Sequence, residues 1–220
     1  MKRKLKIVYE DKYLIVVNKD SNMLTIKKDD KSGYNLYDEV KEYVKKKNPH
    51  NKIFIVHRLD KETCGLVLFA KSERVKNYFQ TNWSNVERNY YAVLDGDILP
   101  LKGRLTNYLI ENKNLYVYVT NNKKIGKEAI TNYEVISQNK KYSVVKINIE
   151  TGRKNQIRVQ FAYIRHPIVG DKKYNGSKYS KLLLQAYQLV FVHPVTNKVL
   201  NLEIPMLSSI QSFLNKIAWI

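Results

Sequence analysis

The segment of the chain best suited to carry chemistry is the run His57-Arg58-Leu59-Asp60, which continues to Gly65. It joins two apolar runs at 53–56 and 66–70, so the pattern predicts a polar connection between two strands. A carboxylate placed there could act as a nucleophile or take up a proton. An ordinary turn explains the same residues, with Asp60 bonding backbone amides and Gly65 supplying an unusual backbone angle. Spacing alone favours the turn.

A second candidate segment is Thr151-Gly152-Arg153-Lys154-Asn155-Gln156-Ile157-Arg158, in which a glycine follows a predicted strand and a basic helix begins. Backbone amides at the helix start, together with Arg153 and Lys154, could hold a phosphate group. A capped helix with a solvated basic face is the plainer explanation. A third segment, 166–171, is a loop punctuated by proline and glycine, and structure alone explains it equally well.

Three other kinds of chemistry fit the sequence poorly. No closely spaced set of histidines and no cysteine pair is present, so no metal site is expected. A kinase catalytic loop has aspartate directly after arginine, whereas Leu59 intervenes here, and neither a glycine-rich loop nor Asp-Phe-Gly is present. Cys64 has no evident His or Asn partner set, which favours a packed residue over a nucleophile.

Runs of aromatic and β-branched residues predict the strands that must position these segments, at 13–17, 53–56, 66–70, 90–94, 115–119, 142–149 and 182–192. Apolar residues at helical spacing predict four helices, at 35–47, 72–83, 155–165 and 207–217. Asn35 and Ser72 are placed to cap the first two helices. The polar segment 111–127 predicts a hairpin with a mobile, basic tip at 121–124.

Strands outnumber helices and often follow one another directly, which predicts an α+β fold with a mainly antiparallel mixed sheet flanked by helices. With 220 residues the chain could form one large domain or two small ones. No repeat or low-complexity linker interrupts it. We therefore expect a single domain spanning residues 1–220.

The charge of the chain indicates its partner. Lys and Arg number 39 against 20 Asp and Glu, a formal net charge of +19, which points to a polyanion such as nucleic acid. General lysine enrichment of the surface is the alternative. One cysteine excludes an intrachain disulfide, and no stretch has the length of a signal peptide or spanning helix. These features predict a cytoplasmic protein with no membrane role, and we expect a monomer.

The same motifs resemble those of the RluA-like family of pseudouridine synthases, whose signature is His-Arg-Leu-Asp followed by Thr-Ser-Gly and an apolar strand ending in Ala-Lys. Asp60 matches the aspartate of that signature. The resemblance runs from about Ile7 to Pro205, and several unrelated motifs in the family order make coincidence implausible. The other matches are Val16-Val17-Asn18-Lys19, Thr63-Cys64-Gly65, Arg88-Asn89-Tyr90-Tyr91-Ala92, Thr151-Gly152-Arg153, Gln156-Ile157-Arg158, His166-Pro167-Ile168, Gly170-Asp171, Tyr174, Phe191 and His193-Pro194.

The chain departs from the family pattern at several positions near the motifs, namely Asp20, Asn22, Cys64, Lys154, Asn155 and Gln160. They leave the matched catalytic residues intact but put the substrate contacts near the helix start in doubt. Because the first motif begins near Ile7, we expect no separate RNA-binding module before the catalytic domain.

The resemblance implies an RNA pseudouridine synthase that acts on structured RNA, either ribosomal or transfer RNA, with no metal or organic cofactor. It assigns catalysis to Asp60, Tyr90 and Arg158, with Arg158 as the ionic partner of Asp60. Contacts with the RNA fall to Arg58, Ile157, Arg153, Lys154 and Gln156. Tyr90 could instead be a core aromatic residue, and His57 is assigned to structure. A catalytically silent RNA-binding domain is the second hypothesis.

Overall fold

The computed structural model describes residues 4–27 and 33–218, which form eleven strands, four α-helices and one short 3-10 helix. The strands are β1 (Ile7–Glu10), β2 (Leu14–Lys19), β3 (Phe54–Ile55), β4 (Cys64–Ala70), β5 (Glu87–Asp95), β6 (Lys102–Glu111), β7 (Val117–Thr120), β8 (Lys127–Gln138), β9 (Tyr142–Ile149), β10 (Leu184–Val192) and β11 (Val199–Glu203). The helices are α1 (Leu36–Lys47), α2 (Glu73–Asn82), α3 (Gln156–Tyr163) and α4 (Ser208–Ala218). The predicted α+β fold is confirmed.

The chain divides into two compact units. The first comprises Met1–Val86 and Tyr187–Ile204, and the second comprises Glu87–Ala186 and Pro205–Ile220. Strand β10 contributes residues to both. That the whole chain acts as one domain stays a prediction.

The first unit is built on strands β2 and β4, which pair antiparallel with Val16 opposite Leu68. Every residue of β4 is buried, as is nearly all of β2, so both faces of these strands lie in the core. Strand β1 pairs with β2, β3 with β4, and β11 with β10. Helix α2 packs on β3 and β4, and its Phe79 ring lies 5.4 Å from that of Phe191.

The two helices of the first unit begin where the sequence predicts. The Asn35 side chain accepts a hydrogen bond from the Asp38 amide at 3.1 Å. Ser72 likewise accepts from the Val75 amide at 3.3 Å. Both satisfy amides that the first helical turn cannot pair internally, so the predicted caps are confirmed.

The second unit is a sheet with the strand order β5-β9-β8-β6-β7, and each of these pairs is antiparallel. Helix α4 packs on β5, β8 and β9, and helix α3 on β6 and β7. The core beneath α3 is an apolar cluster of Leu109, Val117, Ala129, Val159 and Tyr174. This cluster joins the helix to the sheet edge that β7 forms.

Four strands lacked a sequence prediction: β1, β6, β8 and β11. Strand β6 shows why, because its residues alternate between exposed and half-buried over most of its length and it carries many polar side chains. A strand with one solvated face needs few apolar residues. The predicted hairpin at 111–127 with its tip at 121–124 is wrong, because β7 pairs with the preceding strand β6 and not with β8. The turn lies at 112–116, and residues 121–124 lie in the connection from β7 to β8.

Candidate active site

The backbone next to Asp60 is held by Thr25, a buried residue of the same unit. The Thr25 hydroxyl donates to the Leu59 carbonyl at 2.9 Å and accepts from the Leu59 amide at 3.2 Å. One hydroxyl therefore satisfies both backbone groups of the residue before Asp60. Leu59 itself is buried, whereas Asp60 is half-buried and Arg58 is exposed.

The backbone after Asp60 is held by two further side chains. Lys19 is fully buried at 0% exposure, and its ammonium donates to the carbonyls of Lys61 at 3.1 Å, Met23 at 2.8 Å and Asp20 at 3.0 Å. The Ser21 hydroxyl donates to the Glu62 carbonyl at 2.7 Å. The segment 19–25 thus fixes the chain on both sides of Asp60. The sequence shows Lys19 only as part of a motif and does not reveal this role.

His57 has the structural place predicted for it. Its Nε2 accepts a hydrogen bond from the Leu68 amide at 3.0 Å, and its ring lies 4.7 Å from that of Trp83. Gly65, at the other end of the segment, has a φ of 119°, the unusual backbone angle that the sequence predicted there. Residues 57–65 therefore form a turn held by hydrogen bonds, and this turn bears the half-buried carboxylate of Asp60.

Tyr90 lies on β5 opposite Ile147 and is 8% exposed. Two residues earlier, the buried Arg88 donates to the carbonyls of Ile149 at 3.0 Å and Glu150 at 2.7 Å. Burial lowers the pKa of Arg88 from its ordinary value. Arg88 thereby ties β5 to the chain that leads into the segment 151–158.

Arg158 makes a buried ion pair with Asp171. Its Nε donates to one carboxylate oxygen at 2.7 Å and its Nη2 to the other at 2.8 Å, and the Asp171 side chain is 0% exposed. Asp171 also accepts from the amides of Lys173 and Tyr174. In the sequence, Asp171 stands out only as part of a loop motif, and the family resemblance gives Asp60 as the partner of Arg158. That second pairing stays a prediction.

Tyr174 extends this group toward the sheet edge. The Arg158 guanidinium lies 5.5 Å from the centre of its ring, and its hydroxyl donates to the Val117 carbonyl at 3.1 Å. The hydroxyl also lies 3.3 Å from Asn155 Oδ1. Burial raises the pKa of Tyr174 above its ordinary value, so the hydroxyl stays protonated and remains a donor near neutral pH.

The start of α3 is organised by Gln156, which is buried. Its amide oxygen accepts from the Arg153 amide at 3.0 Å and from the Thr151 hydroxyl at 2.8 Å. Its amide nitrogen donates to the Ile130 carbonyl and the Thr131 hydroxyl. For the Gln156 side chain to contact RNA directly, as predicted, one of these four hydrogen bonds would have to be replaced by a bond to the RNA.

The two basic residues at this helix start have contacts of their own. The exposed Arg153 donates through Nε to the Glu128 carbonyl at 2.8 Å, and Lys154 pairs with Glu111. Asn155 takes the cap position with a φ of 54° and makes no side-chain capping bond. The first turn of α3 is thus shaped by a left-handed residue and by Gln156 rather than by an ordinary cap.

Ile157 and Gln160 of α3 are also buried. Ile157, predicted to pack on the target base, is 5% exposed. Gln160, which departs from the family pattern, accepts from the Thr131 hydroxyl at 2.6 Å and donates to the carbonyls of Leu105 and Ala129. Gln160 therefore ties α3 to β6 and β8.

The structure assigns the predicted catalytic residues to both units, with Asp60 in the first and with Tyr90 and Arg158 in the second. Their joint action stays a prediction that rests on the resemblance. Within residues 4–27 and 33–218, no three His, Cys, Asp or Glu side chains are placed to hold a metal ion. No helix in that part of the chain has the length and apolar character needed to cross a membrane.

Comparison with known proteins identifies the family. The family model described as RNA pseudouridylate synthase matches residues 13–163. The ribosomal large subunit pseudouridine synthase C of Buchnera aphidicola is 33% identical over 95% of this chain and 69% of its own length. The tRNA pseudouridine synthase C of Vibrio parahaemolyticus is 28% identical over 98% of this chain and 96% of its own length.

A solved structure supports the same fold. Human RNA pseudouridylate synthase domain containing 4 superposes with a TM-score of 0.82 at 22% identity, over 97% of this chain and 93% of that one. The matched family model covers the Asp60 segment, Tyr90 and Arg158 alike. The chain belongs to the RNA pseudouridylate synthase family.

Proposed function

We propose that this RNA pseudouridine synthase converts a uridine of ribosomal or transfer RNA into pseudouridine with Asp60 as its catalytic carboxylate. The observation that carries the proposal is the fixed backbone on both sides of Asp60, within the region that matches the family model. A catalytic group must be held close to its productive geometry, and three side chains of segment 19–25 are devoted to that task. The names of the relatives give the two classes of RNA.

The reaction is an isomerisation in which every atom of the uridine is kept. The bond between N1 of uracil and C1′ of ribose breaks, the uracil turns, and C5 forms a bond to C1′. The proton that C5 carried is lost and N1 ends protonated, so no oxidant, reductant or co-reactant is consumed. Asp60 serves either as nucleophile at C1′ or as base toward the neighbouring C2′ proton, and uracil carries the departing electron pair on its carbonyls. In the first route the bond from Asp60 to C1′ breaks as C5 attacks, and in the second the proton returns from Asp60 to C2′.

Arg158 is proposed to direct Asp60 toward the sugar through its fixed positive charge. Asp171 holds Arg158 at two points, so the orientation of the guanidinium is already set within the second unit. Tyr90 is proposed to stack on the uracil and to assist the transfer of the C5 proton. The Tyr90 ring is 8% exposed, so a flipped base would have to contact the small part that remains accessible.

The remaining predicted residues are proposed to hold the RNA. The exposed Arg58 fills the space that the flipped uridine leaves in its stack. Arg153 and Lys154 contact phosphate, and Ile157 packs on the base. Gln156 serves the same surface indirectly, because it fixes the Arg153 amide. We propose that the chain works as one catalytic domain, as a cytoplasmic monomer, without metal or organic cofactor.

The test is a map of pseudouridines in total RNA from cells with and without the gene. The proposal expects one or a few ribosomal or transfer RNA positions to lose pseudouridine and to regain it when the gene is restored. A silent RNA-binding domain predicts identical maps. If the maps with and without the gene were identical, and the purified protein were inactive on RNA from the deletion strain, the proposal would be wrong.

A further inference from the structure

The turn between β6 and β7 presents two apolar side chains to solvent. Leu115 is 58% exposed and Tyr116 is 37% exposed. The turn is ordered by its own bonds, since the Asn112 side chain accepts from the amides of Asn114 and Tyr116 at 3.0 Å each. Leu115 has a φ of 59°, a conformation that residues with large side chains rarely adopt. An ordered, strained turn with exposed apolar tips points to a binding role.

The turn is fastened to the neighbouring loop 171–174. The Lys173 ammonium donates to the Leu115 carbonyl at 3.1 Å, and the Tyr174 hydroxyl donates to the Val117 carbonyl. The Tyr116 ring packs on the Tyr174 ring with centres 5.1 Å apart. Part of the Tyr116 ring is therefore supported from within, while the remainder faces solvent.

Three lysines lie in the turn or contact it. Lys173 Nζ lies 5.5 Å from the centre of the Tyr116 ring, and Lys154 Nζ lies 3.5 Å from the Leu115 carbonyl. Lys113 is exposed within the turn itself. Glu111, at the end of β6, pairs with Lys154. Three lysines against one glutamate give the patch a net positive charge, which suits a polyanion better than an apolar protein partner.

We propose that the patch of Lys113, Leu115, Tyr116, Lys154 and Lys173 binds an unpaired nucleotide of the RNA, separate from the uridine that reacts. The Tyr116 ring stacks on the base and the lysines contact the flanking phosphates, which is how single-stranded RNA is bound without sequence preference. The patch adjoins the predicted site, because Asn155 Oδ1 at the start of α3 accepts from Lys173 at 3.2 Å and lies 3.3 Å from the Tyr174 hydroxyl. The proposal rests on the proposed RNA function. It narrows the substrate of that function to RNA with an unpaired residue beside the target uridine.

The test compares Tyr116→Ala with Tyr118→Ala in the whole protein. Tyr118 is 42% exposed on the same hairpin and is not part of the patch. The measurement is the anisotropy of a labelled, mixed-sequence single-stranded RNA of about 16 nucleotides, with a duplex of the same length as second probe. Tyr116→Ala should raise the Kd for the single strand about 5- to 150-fold, as the loss of one stacked base does. Tyr116→Phe and Tyr118→Ala should bind like wild type, and the duplex should not respond.

The charge of the patch is tested with Lys113→Gln, a surface change that leaves the fold intact. Its matched control is Lys140→Gln, because Lys140 is exposed and lies beyond the far end of β8, away from the turn. Lys113→Gln should reduce the slope of log affinity against log salt by about 0.7, as expected for one phosphate contact on a single strand. Lys140→Gln should leave the slope unchanged.

Wild-type affinity of both Tyr116→Ala and Lys113→Gln would overturn the proposal and leave the patch to a protein partner or to none. An equal loss on single strand and duplex would overturn the stacking that it requires. Pseudouridine formation by the wild-type protein is measured in parallel. If binding depends on Tyr116 but no pseudouridine forms, this inference is upheld and the proposed catalytic function fails. If pseudouridine forms but binding does not depend on Tyr116, only this inference is rejected.

Discussion

Arg158 and Asp171 are joined at two points, with Nε and Nη2 of the arginine 2.7 and 2.8 Å from the two carboxylate oxygens. Both side chains are buried, and Asp171 also accepts from two backbone amides of its own loop. The predicted catalytic arginine is therefore already oriented by a carboxylate of the second unit. Asp171 therefore holds the Arg158 guanidinium in place.

Removal of Asp171 tests that role. Asp171→Ala should destabilise the protein by about 3 to 5 kcal/mol, because it leaves Arg158 buried without this partner. Asp171→Asn keeps the shape and should lower kcat much more than it raises KM, since the guanidinium loses its fixed direction. Single-turnover kinetics and urea unfolding measure the two effects. Asp97→Asn, at an exposed position of the same unit, is the control. Wild-type kcat in Asp171→Asn would remove Asp171 from catalysis.

Thr25 offers a sharper test of how Asp60 is positioned. Thr25→Val is nearly equal in volume but removes the hydroxyl that bonds both backbone groups of Leu59. We expect a loss of about 1 to 3 kcal/mol in stability, because buried backbone groups lose their partner. We also expect kcat to fall about 10- to 100-fold, because small displacements of a catalytic group are costly. Thr25→Ser keeps the hydroxyl and should restore both quantities. If Thr25→Val were as active as wild type, the clamp would be structural only.

The lowered pKa of Glu10 makes the free energy of unfolding depend on pH. Burial opposes its ionisation, but hydrogen bonds from Lys71, Lys47 and Tyr43 outweigh it and lower the pKa of Glu10 to about 2. Since the folded pKa is below the unfolded value, this contribution is present at neutral pH and is lost as pH falls from about 4.5 toward about 2. Glu10→Gln should be less stable than wild type at pH 7, and the difference should shrink across that window. Thermal melts against pH measure it, with the exposed Glu87→Gln as control. A constant difference at every pH would refute the linkage.

Tyr90 has two proposed roles, which substitutions separate. Tyr90→Ala should reduce turnover far more than RNA affinity, since one stacked base is worth about 1 to 3 kcal/mol while the phosphate contacts remain. Tyr90→Phe keeps the ring and tests the hydroxyl. Activity retained in the phenylalanine variant would leave stacking as the role. Full activity of the alanine variant would show that Tyr90 is only a core residue with no role in catalysis.

The sequence predicted the elements whose signals are local. Asn35 and Ser72 cap their helices as expected, because an N-cap depends on a few adjacent residues. Strand β6 went unpredicted, because its polar residues face solvent and its strand character comes from pairing with β7 and β8.

The site shows the same division between local and distant information. The Asp60 segment stands out as a motif, but nothing local reveals that the ammonium of Lys19 bonds a carbonyl 42 residues away. The pairing of Arg158 with Asp171 spans 13 residues and joins a helix to a loop. Spacing of residues cannot specify such a contact, because it depends on how the loop returns to the helix.

The replacement of Asp60 by asparagine tests the central claim most directly. The amide keeps the size of the carboxylate and much of its hydrogen bonding but removes the charge and the nucleophilicity. Glu62→Gln, a change at another carboxylate of the same loop, is the matched control. The measurement is pseudouridine formed in RNA from a deletion strain, in buffer with EDTA, alongside RNA affinity and a melting curve.

We predict that Asp60→Asn is folded, binds RNA and forms no detectable pseudouridine, whereas wild type and Glu62→Gln are active. Binding should persist because the proposed phosphate contacts lie elsewhere and one negative charge near the RNA has gone. Turnover by Asp60→Asn at the wild-type rate would contradict the account.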